Sequence, residues 1–336
     1  MNPVMMDDVF LGLDLGGTKT SVSLGRADGS ILTARRIPTH AGDGPERWFD
    51  RVRQQLAELR NERPEAFARL RAVGMAVPGP MSVSRGALLA PPNLPGWRNV
   101  PVAQWMREAS GRPVFLNNDA NAAALAEYLY GEYRGTPDLV YLTLSTGIGA
   151  GIVADGRLIQ GARDLAGEIG HYVLDRDGPP CPCGQRGCLE MYCGGGNVAR
   201  RLRERIAAGA RSRALDIVGG HPERLDFRAL VAAAREGDAL AVEFWTEFVE
   251  RLAQGIGATL MFFNPSVVVL GTIAIHTGEF LLGPLRAALP RFAWDVSREG
   301  VAIAPSALGE KIGDLAALAV AIQGASDSAA DGRPRP

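Results

Sequence analysis

The chain has 336 residues, 46% of them hydrophobic and 22% charged, with a formal net charge of −1. That length and apolar content support a large core in one or two domains, and the balanced, scattered charge gives neither a nucleic-acid footprint nor a membrane-surface patch. No run approaches the roughly 18–20 apolar residues of a membrane span, and the start MNPVMMDDVF lacks the regions of a signal peptide, so the expectation is a cytoplasmic protein.

Val9–Leu13 (VFLGL) is an apolar run closed by Asp-Leu-Gly-Gly, a buried strand entering a tight turn. Ser21–Leu24 resumes a strand, so Gly16 and Gly17 sit at a hairpin-like bend. Residues 46–60 carry helical periodicity, and 71–78 (RAVGMAVP) read as a strand running into Pro78-Gly79-Pro80. A further strand, Pro113–Leu116, runs into Asn117-Asn118-Asp119, and Ala120–Tyr130 is strongly helix-forming, with Asp119 where an N-cap would lie. At Leu139 the opening pattern returns: DLVYLTLSTGIGAGIVADGRLI echoes VFLGLDLGGTKTSVSLGRADGSIL, each copy ending in an Asp-Gly turn. Helices are expected at 197–208, 226–236 and 239–263, a strand at Ser266–Leu270, and a last helix near 312–323. The mixture of strands and helices in two similar halves predicts an α/β protein of two lobes with a cleft between them.

DLGGTKT at 14–20 fails as a P-loop, because Thr18 intervenes before Lys19, and as a dinucleotide fingerprint, because the glycines lead back into a strand rather than a helix. What remains is a plain β-turn or a hairpin whose backbone N–H groups and hydroxyls hold phosphate oxygens, as in the actin/hexokinase-like ATPases, with Asp14 placed to hold a hydrated Mg²⁺. A second such turn, LSTGIGAG at 144–151, favours the phosphate reading, since two turns in duplicated positions can close on the phosphates from opposite lobes.

Residues 171–190 read HYVLDRDGPPCPCGQRGCLE and hold three of the four cysteines. A disulfide is awkward with a single proline between Cys181 and Cys183, and in the cytoplasm clustered thiols more often bind metal.

The segments LGLDLGGTKT, VGMAVPGP, APPNLPGWRNVP, NNDANAAALAE, LSTGIGAGIVADGRLIQG, AGEIGH and CPCGQRGCLE occur in one order, and through them the chain resembles the ROK family of bacterial sugar kinases and repressors over roughly residues 9–323. The resemblance implies an actin/hexokinase-like (ribonuclease H-like) fold. It places the first lobe at 1–119, completed by a helix near 310–325, and a larger second lobe at 120–309; the polar, Pro-rich tail at 326–336 is expected from its composition to be disordered. It also implies phosphoryl transfer from MgATP to a sugar hydroxyl, glucose first among the acceptors, and a homodimer or homotetramer. His171, Cys181, Cys183 and Cys188 match the family's zinc motif, and four such ligands close a tetrahedral Zn²⁺ to water, which makes the ion structural. Asp119 matches the catalytic base, and Asn118, Asp119, Glu168, His171 and Glu190 match sugar-contacting positions. Asp14, Gly16, Gly17, Thr18, Lys19, Ser145, Thr146, Gly147 and Gly149 match the ATP and phosphate positions.

The sequence departs from the family pattern at Ser145, Ala150, Gly271-Thr272 and Cys193–Gly196, which bears on nucleotide contacts and sugar preference. A family repressor would need a DNA-binding domain ahead of Asp14, for which this sequence gives no room and no basic recognition helix. Kinases of the same fold for N-acetylmannosamine, fructose, allose, an amino sugar or a cyclitol remain alternatives. Cys193, outside the metal pattern, is expected to be a small packed thiol.

Overall fold

The computed structural model describes residues 4–330. Its opening run forms β1 (Val9–Leu15), followed by antiparallel β2 (Lys19–Arg26) and β3 (Ile31–Pro38), then β4 (Leu70–Val77). A small hairpin of β5 (Met81–Ser82) and β6 (Ala87–Leu88) precedes β7 (Val114–Asn118), and the sheet order is β3-β2-β1-β4-β7. The second sheet comprises β8 (Leu139–Leu144), β9 (Ile148–Ala154), β10 (Arg157–Leu158), β11 (Val267–Leu270) and β12 (Ala302–Pro305), in the order β10-β9-β8-β11-β12. Both sheets run three antiparallel strands and then two parallel ones. The expected internal duplication is therefore structural, and the two-lobed actin/hexokinase-like fold follows from it. Asp28-Gly29 and Asp155-Gly156 turn the matching hairpins, with Gly29, Asp155 and Gly156 at positive φ.

Helix Asp119–Tyr130 lies between the halves because five of its twelve residues are alanine, small enough to let it pack on two sides. Ala122, Leu125 and Ala126 face the last helix, Ile312–Ala330, while Ala123 and Ala124 join the core of the second sheet. The last helix in turn lies on β1 and β4. Gly74 allows this approach: a Cβ there would collide with the Ala317 carbonyl oxygen and the Ala321 nitrogen. The second lobe is organised on helix Ala239–Phe263, whose Phe244, Phe248, Leu252 and Ile256 are buried.

Several expectations are corrected. The N-cap of helix Asp119–Tyr130 is Asn118, which keeps extended φ/ψ and accepts from the N–H of Ala120 at 2.8 Å and of Asn121 at 3.4 Å; Asp119 is already the first helical residue. The last helix runs to Ala330, five residues into the expected disordered tail. Gln323 bonds Asp327 at 2.8 Å, the Ser328 hydroxyl reaches the Gly324 carbonyl at 2.8 Å, and neither proline nor glycine occurs from Ala325 to Ala330. The remainder of that tail, 331–336, lies outside the described residues. Edge strands β3 and β12 and helices Val102–Ser110, Thr272–Thr277 and Glu279–Ala288 were not anticipated. β3 alternates exposed and half-buried residues without a fully apolar face, so the sequence pattern around it is weak.

Candidate active site

Each of the two glycine turns is closed by a backbone hydrogen bond. In the first, Gly16 N–H bonds the Lys19 carbonyl at 3.0 Å; in the second, Ser145 N–H bonds the Gly147 carbonyl at 3.1 Å. The next two N–H groups of each turn, those of Gly17 and Thr18 and of Thr146 and Gly147, have no backbone acceptor among the described residues. Paired free N–H groups on a tight turn form a concavity that favours an anion.

Each turn is also buttressed from behind. The Thr39 hydroxyl donates to the Gly16 carbonyl at 2.7 Å, and Thr39 N–H reaches the Thr18 carbonyl at 2.9 Å. Gly195 and Gly196 N–H groups bond the carbonyls of Ser145 and Thr146 at 2.8 and 3.0 Å. A Cβ at Gly194, Gly195 or Gly196 would press on Ser145 or Thr146, so glycine at these three positions lets the segment lie against the second turn. Gly149 lies in β9, with its Cα facing Ala120 at the start of the central helix.

Asp14 ends the buried stretch of β1, and Asp119 heads the helix after β7, so strand ends of one sheet bring both acids to its carboxyl edge. Desolvation lifts the Asp14 carboxyl to about 6, with the charges of Asp119 and Asp314 adding to the rise and Lys19 and Arg36 opposing it. The Asp119 residue is exposed to solvent, between half-buried Asn118 and buried Ala120. Desolvation there also raises it to about 6, opposed by the Ala120 N–H at 2.8 Å and reinforced by the charge of Glu168. Glu168 is raised by desolvation, with His171 lowering it and Glu190 raising it further. Asp119 thus acts on Asp14, Glu168 on Asp119, and His171 and Glu190 on Glu168, a chain of neighbouring charged or polar groups. Glu190, at the start of helix Leu189–Cys193, accepts from Ile148 N–H at 2.8 Å, which ties this acid to the second turn and leaves its other oxygen available. The Asn118 carbonyl oxygen is spent on capping, so only its amide N–H₂ remains to meet a ligand.

His171, Cys181, Cys183 and Cys188 converge, with all candidate ligand atoms within 4.8 Å of one another. His171 Nδ1 lies 3.6 Å from Cys181 Sγ, and Cys183 Sγ lies 3.7 Å from Cys188 Sγ. Bonds of about 2.3 Å to sulfur and 2.0–2.1 Å to nitrogen give a tetrahedron with edges of about 3.5–3.8 Å, so the four residues fit a tetrahedral metal. All four cysteines are free thiols. Gly187 makes the turn possible: its φ is 66°, and a Cβ would strike the Asp175 carbonyl. The backbone N–H of Gln185 heads the influences that hold the Cys183 thiol down at about 7. Cys193 is fully buried and meets the Phe248 carbonyl at 3.4 Å, as a packed thiol.

Two polar residues beside the site were not singled out from the sequence. Asn93, in the Pro91–Trp97 loop, packs on Gly17, its carbonyl lying where a Cβ would otherwise go. Asp314, buried in the first turn of the last helix, accepts from the Ser21 hydroxyl and lies 3.6 Å from Arg36. An NLPG turn and an acid in a helix's first turn were the available signals.

A sequence profile described as the ROK family matches residues 10–324. The chain belongs to the ROK family. A ROK-family glucokinase from Streptomyces griseus, solved in complex with glucose and AMPPNP, is 30% identical, has a TM-score of 0.78, and covers 94% of this chain and 100% of its own. A glucokinase of Thermotoga maritima is 37% identical over 277 residues, 82% of this chain and 86% of that protein. An N-acetylmannosamine kinase of Escherichia coli is also 37% identical over 277 residues, 81% of this chain and 86% of the other. No described helix of this ROK-family chain is long and apolar enough to cross a membrane.

Proposed function

We propose that this ROK-family sugar kinase transfers the γ-phosphoryl group of ATP to glucose, yielding glucose 6-phosphate and ADP. The carrying observation is the pair of turns with free N–H groups in matching positions of the two sheets, together with Asp119 at the head of the helix that packs between the halves. Phosphoryl transfer demands positioning and charge neutralisation more than covalent chemistry. The N–H groups of Gly17, Thr18, Thr146 and Gly147, the hydroxyls of Thr18, Ser145 and Thr146, and the Lys19 ammonium supply both. Asp14, at the carboxyl edge of β1, would hold Mg²⁺, which when bound screens the phosphate charge. Asp119 orients the sugar hydroxyl and takes its proton as the new O–P bond forms.

Asn118, Glu168, Glu190 and His171 line the sugar side. Their acceptors suit a neutral polyol and repel a sugar already carrying phosphate. His171, with Nδ1 turned to Cys181, presents Nε2 to a hydroxyl. The metal site would hold Zn²⁺ as a structural ion. It fixes His171 and, through Cys188, the helix carrying Glu190, so that sugar ligands from two segments keep their spacing. The proposed assembly is a homodimer or homotetramer.

Glucose is supported by the two similar glucokinases. A second reading, N-acetylmannosamine, is supported by the equally similar kinase of that name. The deciding assay is sugar-dependent ADP release across glucose, N-acetylmannosamine, N-acetylglucosamine, mannose, fructose and allose. Glucose should give the highest kcat/KM. A higher value for N-acetylmannosamine selects the second reading, and ADP release independent of every sugar removes kinase function.

A further inference from the structure

The chain itself joins the two halves at two places: β7 runs into helix Asp119–Tyr130, and β12 leads on to helix Ile312–Ala330. A side chain makes a third connection. Val83 N–H, in the turn of the β5–β6 hairpin, donates to Asp164 Oδ2 at 2.9 Å. Val83 packs against the apolar cluster of the first half that holds Leu13, Met81 and Leu88. Asp164 belongs to the loop leaving β10, which is tied to β9 of the second sheet by the Ile159 N–H on the Ile152 carbonyl at 2.8 Å. Among the described residues, the Val83–Asp164 contact is the one hydrogen bond between residues 4–118 and residues 131–311.

The backbone at Asp164 is one that side chains seldom adopt. Its φ is 59°, in a loop bounded by Gly161 at 75° and Gly167 at 90°. Glycine enters the left-handed region without a Cβ penalty, and aspartate is among the few other residues that tolerate it. A carboxylate kept at such a position, with its oxygen on an N–H of the other half, gives the side chain's contact as the reason for its presence. The loop has little internal give. Ala166 N–H bonds the Gln160 carbonyl at 3.0 Å, and a Cβ at Gly167 would strike the Ala150 carbonyl of β9. It leads directly into Glu168, whose charge acts on Asp119 at the head of the central helix.

We propose that Asp164 is a clasp between the halves, a positioning residue that holds the Glu168 segment against the first half and so retains the sugar. The consequence for sugar rests on the kinase reading above; the clasp itself rests on the hydrogen bond. A hydrogen bond to an ionised group is worth about 10–100-fold in an equilibrium, so the carboxylate favours joined over parted halves by that factor. A sugar gripped by groups from both halves gains the same factor in affinity. No atom of the transferred phosphoryl group passes through Asp164, so its loss falls on sugar binding and spares turnover at saturation.

The experiment compares wild type with Asp164→Gly, Asp164→Asn and Arg163→Gly, all as full chains. The first readout is hydrogen exchange at the Val83 amide, the donor of the clasp, which needs no activity. Asp164→Gly removes the acceptor while easing the backbone, and should speed that exchange about 10–100-fold. Asp164→Asn keeps an acceptor oxygen and tolerates the left-handed backbone, so it should fall between the two. The second readout is steady-state kinetics with glucose, or with N-acetylmannosamine should the sugar panel select it. Asp164→Gly should raise the sugar KM about 10–100-fold and leave kcat and the ATP KM within about threefold. Arg163→Gly, at an exposed position, loosens the same loop without touching the contact and should match wild type in both readouts. Unchanged Val83 exchange in Asp164→Gly, or faster exchange beside an unchanged sugar KM, overturns the proposal. So does an Arg163→Gly that behaves as Asp164→Gly does, since loop stiffness would then be the cause. A wild type that phosphorylates no sugar removes the kinase reading instead, and Val83 exchange alone then decides for or against the clasp.

Discussion

Replacing Asp119 with asparagine separates proton transfer from helix capping. Capping resides in Asn118, whose side chain accepts from Ala120 and Asn121, so the substitution leaves the cap in place. The Asp119 contact with Ala120 N–H at 2.8 Å uses a carboxyl oxygen that asparagine reproduces with its amide oxygen. The folded-state pKa of Asp119 is raised to about 6, so the folded protein holds this proton more tightly than the unfolded chain does. The ionised form therefore opposes folding above about pH 6, and a neutral asparagine relieves that strain; the melting temperature at pH 8 should equal or exceed that of wild type. Turnover should fall about 10²–10⁴-fold if the carboxylate is the base.

The pH profile gives a second reading. A base titrating near 6 is about 90% ionised at pH 7 and about 10% at pH 5, so kcat should drop nearly tenfold across that interval. An ordinary carboxylate near 4 would still be about 90% ionised at pH 5. Saturating MgATP removes the parallel titration of Asp14 from the measurement. The assay is kcat against pH for both proteins, with sugar affinity and a melting curve on the same preparations. A variant with near wild-type kcat, or one whose acid limb persists unchanged, refutes the role of Asp119.

Two further outcomes follow from packing and ligation. Elemental analysis should find about one zinc per chain, and Cys183→Ser should lose it together with much of the folded stability, because binding energy at such sites is folding energy; metal-free protein that remains stable and active contradicts this. Gly74→Ala drives a methyl into the backbone of the last helix at Ala317 and Ala321. The cost should be at least about 1–3 kcal/mol, read by chemical denaturation, and an unchanged midpoint would mean that the helix does not pack there.

Much of the site was legible because its chemistry is local in sequence. The histidine–cysteine spacing, the glycine turns and the Asn-Asp ahead of an alanine-rich helix each declare themselves within twenty residues. What the sequence concealed depends on distant partners. Glu127 reads as one more helix residue, yet it is buried, desolvation raises its pKa, and its carboxyl is met by the hydroxyl of Ser306 across the fold. Asp119 passed for the cap because a capping residue and the first helical residue differ only in backbone dihedrals, which composition does not encode. β3 and β12 are edge strands, one alternating and one four residues long, and their identity comes from the neighbours they pair with. The final helix outlasted its apolar pattern because bonds between residues four apart carry it on to Ala330.

The covering of the first sheet by Ile312–Ala330 sets an order of events during synthesis. β1, β4 and β7 are complete by residue 118, but the helix that lies on β1 and β4 is the last described segment to be translated. At about 5–20 residues per second, that sheet waits roughly 10–40 s with Gly12, Gly74 and their apolar neighbours uncovered. The second sheet can meanwhile assemble from a continuous stretch of chain. The half made first is thus the half finished last, and a message truncated near its 3′ end would damage the N-terminal half of the protein while leaving most of the second intact.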